Sequence, residues 1–594
     1  MSRTIRTPLV TAALAAVVLV PATGCVSIPT DSAVQPGRSV GVQEEPRLIS
    51  NVPPGPVPGD SREEVVTGFF AAMLAYPQSA SIAREFLAPD AAKAWDPEAD
   101  LVVYQDQEII EQRERIAVTA RKVGSLDDRG AWSSAKPKRD GISADLRLAR
   151  VRGEWRIVNP LPGTYVDFDY FDRYFAPFAL HFLDPTRTVL TPDPVYLLLD
   201  ETTATSLVSN LLRGPTKHLV GVATTAAPPQ TEVDVAVSIT PTGLAEVPLT
   251  GEALALSQEN RLLLAAQLTW TLRQLVEIDE IAVTVDGNSL EVPGFGERFG
   301  VDEFDGYDPA GLAASRQLFA LSAAGLVTVS ESDVSPVLGS LQRTSRSASS
   351  AAVDPSGNLT ALVGRAGQDV VVAAAAATAE GGPKKWFSGG ADLLPPSWDV
   401  HQLSDGGQPS HLLWLVDRTR RGAVVYAVTQ TGGRQVRASG ITGADVMSFA
   451  VSRDGVRLAA VVRRDGRPRL MISIIDRDAQ RPARVSLSPA QEVISPEFSP
   501  SGVTGLAWAS PTSVVLLADE GGERQPFEVS IDGSSAAETT GFIPVEPVSI
   551  AAGPNVDAPV AIGSKAGEIY VQTADLQWVQ FGGSTRLYQP IYPG

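Results

Sequence analysis

The residue whose type and position most directly predict a chemistry is Cys25, the only cysteine among 594 residues. Since no second thiol exists, Cys25 cannot form a disulfide within the chain. It follows a basic segment at residues 1–7 and an apolar run at residues 9–20, which is the order of a secretory signal. The three residues directly before it are small: Ala22, Thr23 and Gly24. The thiol therefore stands at the expected cleavage point.

The stretch from Ala22 to Cys25 resembles a bacterial lipobox, although Ala22 stands where that motif usually has leucine. The resemblance implies cleavage before Cys25, a diacylglycerol on its sulfur and an acyl group on its new amino terminus. The apolar run is shorter than the roughly 20 residues of a transmembrane helix. Acyl chains anchor a protein through buried methylene groups, at about 0.8 kcal/mol each. We therefore expect a mature chain anchored by lipid on the extracytoplasmic face of the cell membrane; an ordinary signal peptide with a chance cysteine is the alternative.

Catalytic motifs are scarce in the rest of the sequence. The histidines form no HExxH motif and no i, i+4 pair, which argues against a zinc hydrolase. The sequence has no GxSxG nucleophile elbow, and acylation would consume its one thiol. We therefore expect no enzyme activity, no metal and no cofactor, and we interpret each histidine as a surface or satisfied core residue. The four histidines are His181, His218, His401 and His411.

Three weaker patterns favour structural roles over ligand binding. The last glycine of GFGERFG, at residues 294–300, lies one residue too far for a dinucleotide-binding loop, which indicates an interdomain loop. Two acidic clusters lack the EF-hand spacing, so we interpret them as solvated loops. Five tryptophans are interpreted as packing residues rather than as a platform for sugars. The clusters are Asp302, Glu303, Asp305 and Asp308, and Asp167, Asp169 and Asp172; the tryptophans are Trp386, Trp398, Trp414, Trp508 and Trp578.

The charge of the chain restricts its partners. Its net charge is −19, and removal of residues 1–24, with two arginines and no acidic residue, makes it −21. Nucleic acid needs a basic protein surface, so this composition argues against a nucleic-acid partner. The length suits about three domains, and a hydrophobic content of 44% is enough to build their cores.

Proline-rich stretches and stretches with helical periodicity divide the mature chain into a linker and separate domains. Residues 25–60 are rich in proline and predict an extended linker. Residues 61–185 read as helices followed by an antiparallel sheet, and this α+β order resembles a cone of the nuclear-transport-factor-2 type. A capping box at Ser61 and Glu64 predicts the first helix. The aromatic stretch 165–182 is expected to pack onto the next domain.

Residues 186–300 form the second predicted domain. Its signals are a helix at 205–212 that ends at RGP, a hairpin at 233–248, a long helix that begins at Ser257, and a strand at 281–285. The segments LLRGPT, LAEVPL, AAQLTWTLRQL and VTVDG resemble the GerMN domain of spore-germination proteins and envelope lipoproteins. The resemblance implies an α+β fold and no known chemistry.

Residues 310–594 are all-β in character. Similar segments recur, and each is predicted to form a strand, a turn and a second strand. Examples are VDPSGNLTALV from residue 353, AVSRDGVRLAAVV from residue 450 and FSPSGVTGLAWAS from residue 498. Their spacing is near 45–50 residues or twice that, a period typical of β-propellers, and it predicts about six blades.

The order of lipobox, linker, cone, GerMN-like domain and propeller resembles that of the actinobacterial LpqB lipoproteins. This resemblance implies an envelope protein that acts on the extracellular part of the sensor kinase MtrB, within the MtrAB two-component system, and so influences cell-wall metabolism and division. It transfers one functional residue, Cys25. A cell-wall glycan-binding protein or a glycan hydrolase is the alternative, since propellers also host glycosidases that use two carboxylates.

Overall fold

The computed structural model describes residues 53–594, apart from 76–79, 137–139, 311–315, 375–381, 406–407, 496–497, 540 and 554–558. Cys25, Ala22, Thr23 and Gly24 lie outside the described residues, as do the predicted signal peptide and most of the predicted linker. Within the described ranges, every helix is too short or too polar to cross a lipid bilayer.

Residues 61–174 fold into helices that pack on a sheet. Their elements are α1 (Arg62–Met73), α2 (Ser81–Glu85), α3 (Pro89–Ala94), β1 (Leu101–Glu111), β2 (Ile116–Leu126), β3 (Trp132–Ser134), β4 (Gly141–Leu146), β5 (Leu148–Val151), β6 (Glu154–Ile157), β7 (Thr164–Asp167) and α4 (Phe168–Tyr174). The predicted capping box is present, because the Glu64 N–H donates to Ser61 Oγ at 3.2 Å and the Ser61 N–H donates to Glu64 Oε2 at 2.7 Å. The sheet has the order β3-β2-β1-β7, with β4 also paired to β2. The assignment to the nuclear-transport-factor-2 type stays a prediction.

Residues 175–300 form an α+β unit. Its elements are β8 (Phe175–Leu183), β9 (Leu190–Leu198), α5 (Thr203–Leu212), β10 (Ser238–Ile239), β11 (Leu244–Leu249), α6 (Gln258–Leu272), β12 (Glu280–Val285), β13 (Asn288–Ser289) and β14 (Arg298–Gly300). Ser257 caps α6 as predicted, and its Oγ accepts from Asn260 N–H at 3.2 Å. Strands β11 and β12 are parallel and α6 connects them. β8 and β9 form a hairpin that runs through the predicted domain boundary at residue 185.

In the described part of the chain, residues 318–591 form six antiparallel sheets of four or five strands. The strands are β15 (Leu318–Ser322), β16 (Gly325–Val329), β17 (Val334–Pro336), β18 (Ala348–Val353), β19 (Leu359–Gly364), β20 (Val370–Ala374), β21 (Lys384–Phe387), β22 (Ser397–Asp405), β23 (Gln408–Thr419), β24 (Gly422–Thr429), β25 (Gly432–Val436), β26 (Asp445–Val451), β27 (Arg457–Arg464), β28 (Arg467–Asp478), β29 (Arg481–Leu487), β30 (Gln491–Glu492), β31 (Gly502–Ser510), β32 (Ser513–Glu520), β33 (Glu523–Ser530), β34 (Ala536–Glu538), β35 (Pro547–Ala552), β36 (Val560–Ser564), β37 (Ile569–Gln572), β38 (Trp578–Phe581) and β39 (Leu587–Ile591), with helix α7 at Ser340–Ser345. The last strand, β39, pairs with β15 and so completes the first sheet.

The prediction that each recurring segment of the propeller forms a strand, a turn and a second strand is confirmed for two of the three quoted segments and is wrong for the third. DPSG after Val353 joins β18 to β19, and SRDG after Val451 joins β26 to β27. SPSG at 499–502 instead leads into β31, which begins at Gly502 and is the first strand of its sheet. The turn of that sheet at the corresponding place is Pro511-Thr512, between β31 and β32, so the resemblance in sequence does not mark an equivalent position.

Candidate functional site at the interdomain junction

Charged side chains come together where the second domain meets the propeller. The turn of the β8–β9 hairpin provides Asp184, β22 provides Asp399 and His401, and β28 provides Arg477. All four side chains are at most 3% exposed. Gly455, in the turn between β26 and β27, allows this approach, since a Cβ atom there would lie 2.6 Å from the His401 ring.

His401 is held between two carboxylates. Its Nε2 lies 3.1 Å from Asp184 Oδ2, and its Nδ1 lies 2.8 Å from Asp399 Oδ1. Arg477 Nη2 donates to Asp399 Oδ2 at 2.7 Å, and the Trp414 indole N–H donates to the same oxygen at 2.9 Å. We call Asp184, Asp399, His401 and Arg477 the junction network.

The electrostatics favour a charged imidazole. Burial and the nearby Arg477 lower the pKa of His401, but the bonds to Asp184 and Asp399 outweigh them, so its pKa is raised overall. Burial raises the pKa of Asp184, whereas the bonds from His401 and Thr186 lower it, to about 2 in total. Asp399 also has a lowered pKa, since Arg477 and His401 together outweigh its burial. Two carboxylates and two cations therefore balance one another inside the protein.

Asp184 also fixes its own turn. Its Oδ1 accepts from the N–H groups of Thr188 and Val189 at 3.0 Å each, and its Oδ2 accepts from Thr186 N–H at 2.8 Å. The carboxylate thus carries a full set of hydrogen bonds, from its own hairpin on one side and from the propeller on the other. Such saturation leaves the network no free oxygen for proton transfer to a substrate.

A second ion pair strengthens the same contact. Arg457 Nη1 donates to Asp454 Oδ2 at 2.9 Å, and its Nη2 donates to the carbonyl of Pro192 at 2.5 Å. Arg457 is 3% exposed. The SRDGVR segment that marks the propeller turn in the sequence therefore also binds the second domain.

A small cavity lies next to this pair. It measures about 110 Å³ and is lined by Asp193, His218, Arg457 and Asp532, among others. Both oxygens of Asp193 are occupied by Thr216, whose N–H and hydroxyl donate at 2.7 and 2.9 Å. Ligand pockets usually measure about 300–1,000 Å³, so this cavity is too small for a sugar ring between two carboxylates.

The first domain joins the same junction through aromatic packing and backbone bonds. Trp132 packs on Phe171 and on Tyr196, with ring centroids 5.4 and 6.0 Å apart. Tyr196 N–H donates to the carbonyl of Gly130 at 2.7 Å, and the Tyr196 hydroxyl donates to Ser534 Oγ in the propeller at 2.5 Å. Tyr196 therefore contacts both neighbouring domains, and the prediction that residues 165–182 pack on the next domain holds in a stronger form, since β8 belongs to a hairpin with β9.

The structure places the four histidines in different surroundings. His401 is a core residue with partners on both ring nitrogens. His181 is buried, and burial lowers its pKa to about 3, yet its Nδ1 has no hydrogen-bond partner among the described residues. His218 is exposed beside the small cavity, and His411 lies half-buried against Trp398. The sequence predicts that His401 is either a surface or a satisfied core residue, and it gives no hint of Asp184, since 217 positions separate the two.

The structure also shows where the residues of the weaker sequence patterns lie. Residues 298–300 form β14, which pairs with β12, so the prediction of a pure interdomain loop is wrong there; Phe299 is buried and holds this segment in the sheet. Asp302 pairs with Arg273 at 3.8 Å, and Asp167 caps α4 by accepting from Asp169 N–H at 3.0 Å. In the described residues, no three His, Cys, Asp or Glu side chains are grouped closely enough to hold a metal ion.

Tryptophans connect neighbouring sheets of the propeller. The Trp398 indole donates to the carbonyl of Ala352, one sheet earlier, at 3.0 Å, and the Trp508 indole donates to the carbonyl of Ala450 at 3.2 Å. Both side chains are buried, as is Trp414. These three residues pack between strands, as the sequence predicts.

Comparison with known proteins agrees with this architecture. Residues 55–172 match the family description "Lipoprotein LpqB, N-terminal domain", and residues 324–593 match "Lipoprotein LpqB beta-propeller domain". The chain belongs to the LpqB lipoprotein family. Between the two LpqB regions, residues 179–291 match the Germane domain of sporulation and spore germination, as the GerMN resemblance predicts.

Curated LpqB relatives cover nearly the whole chain. Lipoprotein LpqB of Cutibacterium acnes is 27% identical over 86% of this chain and 87% of its own length. Lipoprotein LpqB of Thermobifida fusca is 26% identical over 96% of both chains, and that of Mycobacterium bovis BCG is 28% identical over 90% of both. These relatives are named as lipoproteins rather than as enzymes.

Proposed function

We propose that this LpqB chain is a lipid-anchored accessory protein on the extracytoplasmic face of the membrane. It binds the external part of an MtrB-type sensor kinase and so regulates an MtrAB-type system that influences cell-wall metabolism and division. The observation that carries the proposal is the junction network, whose charged side chains bind one another and fasten two domains together. Such saturation suits a rigid binding platform better than an active site.

The lipid anchor places the binding platform at the membrane surface. Membership of a lipoprotein family supports acylation at Cys25, which confines the protein to the membrane of the kinase. Confinement raises the effective concentration of one partner near the other without any new contact. The platform changes signalling to the extent that it binds one state of the kinase better than the other. This mechanism needs no cofactor and no nucleic acid.

The test is a binding measurement between the external domain of the kinase and the mature chain, acylated at Cys25, in lipid nanodiscs. We expect saturable binding, and we expect Cys25→Ala to keep the affinity in solution but lose recruitment to membranes. Absence of saturable binding contradicts the proposal. Release of soluble fragments from peptidoglycan by the purified chain favours the glycan hydrolase instead, and retention on insoluble peptidoglycan without release favours a glycan-binding protein.

A further inference from the structure

A cavity between two sheets of the propeller lies outside the junction. It has a volume of about 270 Å³ and opens between strands β28 and β31. Apolar side chains form most of its described wall, and they include Val461, Leu470, Phe498, Val503, Leu516 and Val529. A dry cavity of about 150 Å³ already holds benzene, so this one has room for a larger aromatic side chain.

Among the described residues of its lining, two arginines and one glutamate are charged. Glu492 pairs with Arg469 at 3.3 Å and with Arg464 at 3.8 Å. Arg467 is exposed and forms no ion pair or side-chain hydrogen bond with any described residue. Among the described lining residues, the uncompensated charge is therefore positive, on a chain whose net charge is −19. A guanidinium in this position favours a carboxylate of a partner.

One polar group of the wall is unsatisfied. Ser495 lines the cavity, and its buried hydroxyl has no hydrogen-bond partner among the described residues. An acyl chain would leave this hydroxyl unpaired, at a cost, whereas an aromatic ring with a polar tip can pair with it. This difference favours a protein partner over a lipid.

We propose that this cavity receives a tyrosine side chain of a partner protein, carried on an acidic segment whose carboxylate pairs with Arg467. The ring fills the apolar space, and its hydroxyl pairs with Ser495. Aromatic residues that enter pockets commonly dominate the binding energy of an interface. The inference rests on the proposed function in one respect, namely that the chain binds a protein.

A peptide with one tyrosine between aspartates is the probe, measured by fluorescence polarisation against the full chain in detergent. We expect saturable binding, about tenfold weaker when Arg467→Glu reverses the charge. We also expect the tyrosine peptide to bind roughly fivefold better than its phenylalanine version, and Ser495→Ala to abolish that preference. Arg420→Glu, another exposed arginine of the propeller, is the matched control and is expected to change nothing.

Three results overturn the inference: no peptide binding, equal binding by the Arg467→Glu and Arg420→Glu variants, or a tyrosine preference that survives Ser495→Ala. Binding of anionic lipid vesicles that depends on Arg467, without peptide binding, also overturns it and assigns the cavity to lipid. Binding of the external domain of the kinase distinguishes failure of the cavity inference from failure of the proposed function. If it binds the original chain and the Arg467→Glu variant equally, the cavity inference fails and the proposed function stands; if it binds neither, the proposed function fails.

Discussion

Replacement of His401 by alanine is the sharpest test of the junction. The substitution removes the imidazole that lies 3.1 Å from Asp184 and 2.8 Å from Asp399. Asp399 keeps the bonds from Arg477 and Trp414, but Asp184 loses the only cation that pairs with it among the described residues, so a buried carboxylate remains without a counter-charge. Removal of one partner from a buried ion pair typically costs about 3–5 kcal/mol. We expect a loss of that size in the free energy of unfolding.

The assay is urea unfolding at pH 6, followed by tryptophan fluorescence, since the chain has nine tryptophans. His411→Ala is the matched control, because this half-buried histidine makes an edge contact with Trp398 and no ion pair with any described residue. We expect the control to lose at most about 1.5 kcal/mol. The double variant His401→Ala, Asp184→Asn removes the uncompensated charge as well, and we expect it to lose about 1 kcal/mol less than the sum of the single variants.

The reasoning is refuted if His401→Ala unfolds at the same urea concentration as the control, or if the two single losses simply add. Either result would mean that the imidazole is uncharged or that its bonds to the second domain contribute nothing.

Three further predictions concern His401, Gly130 and Cys25. Since the pKa of His401 is raised above its unfolded value of about 6.5, the stability it provides is full below that pH and is lost as pH rises through the folded pKa; pH-dependent unfolding should show this decline in the original chain and not in His401→Ala. Gly130→Ala should destabilise the contact of the first domain by at least about 1–2 kcal/mol, because φ is +83° there and the new Cβ would lie 2.4 Å from the Tyr196 carbonyl; a lower melting temperature checks it. Cys25→Ala should move the protein from the membrane to the soluble fraction, and an unchanged distribution on fractionation would contradict acylation.

Local signals in the sequence predict much of the fold. The capping box at Ser61 and the N-cap at Ser257 depend on residues three positions away, and both are present. The turn Asp286-Gly287 has φ values of +49° and +76°, the left-handed backbone that this pair favours. Such features need no knowledge of the rest of the chain, so sequence pattern is sufficient to predict them.

The junction could not be predicted in the same way. Asp184 lies in a short hairpin turn and His401 in a strand, and neither has a neighbour in sequence that indicates a partner 217 positions away. The predicted domain boundary at residue 185 falls in the turn between β8 and β9, and the two strands pair across it. Contacts between domains depend on how whole units dock, which no local periodicity encodes.

The pairing of β39 with β15 has a consequence for the order of folding. Phe319 is opposite Ile591, 272 positions later, and for a flexible chain of that length loop closure costs about 5 kcal/mol. The strands of the intervening sheets pair across much shorter loops, so we expect the pairing of β39 with β15 to form after them. Until the final strand arrives, β15 presents an open edge that can pair with another chain and start aggregation. A chain that stops short of Leu587 would keep that edge permanently, so we expect such a truncated chain to aggregate more readily than the full one.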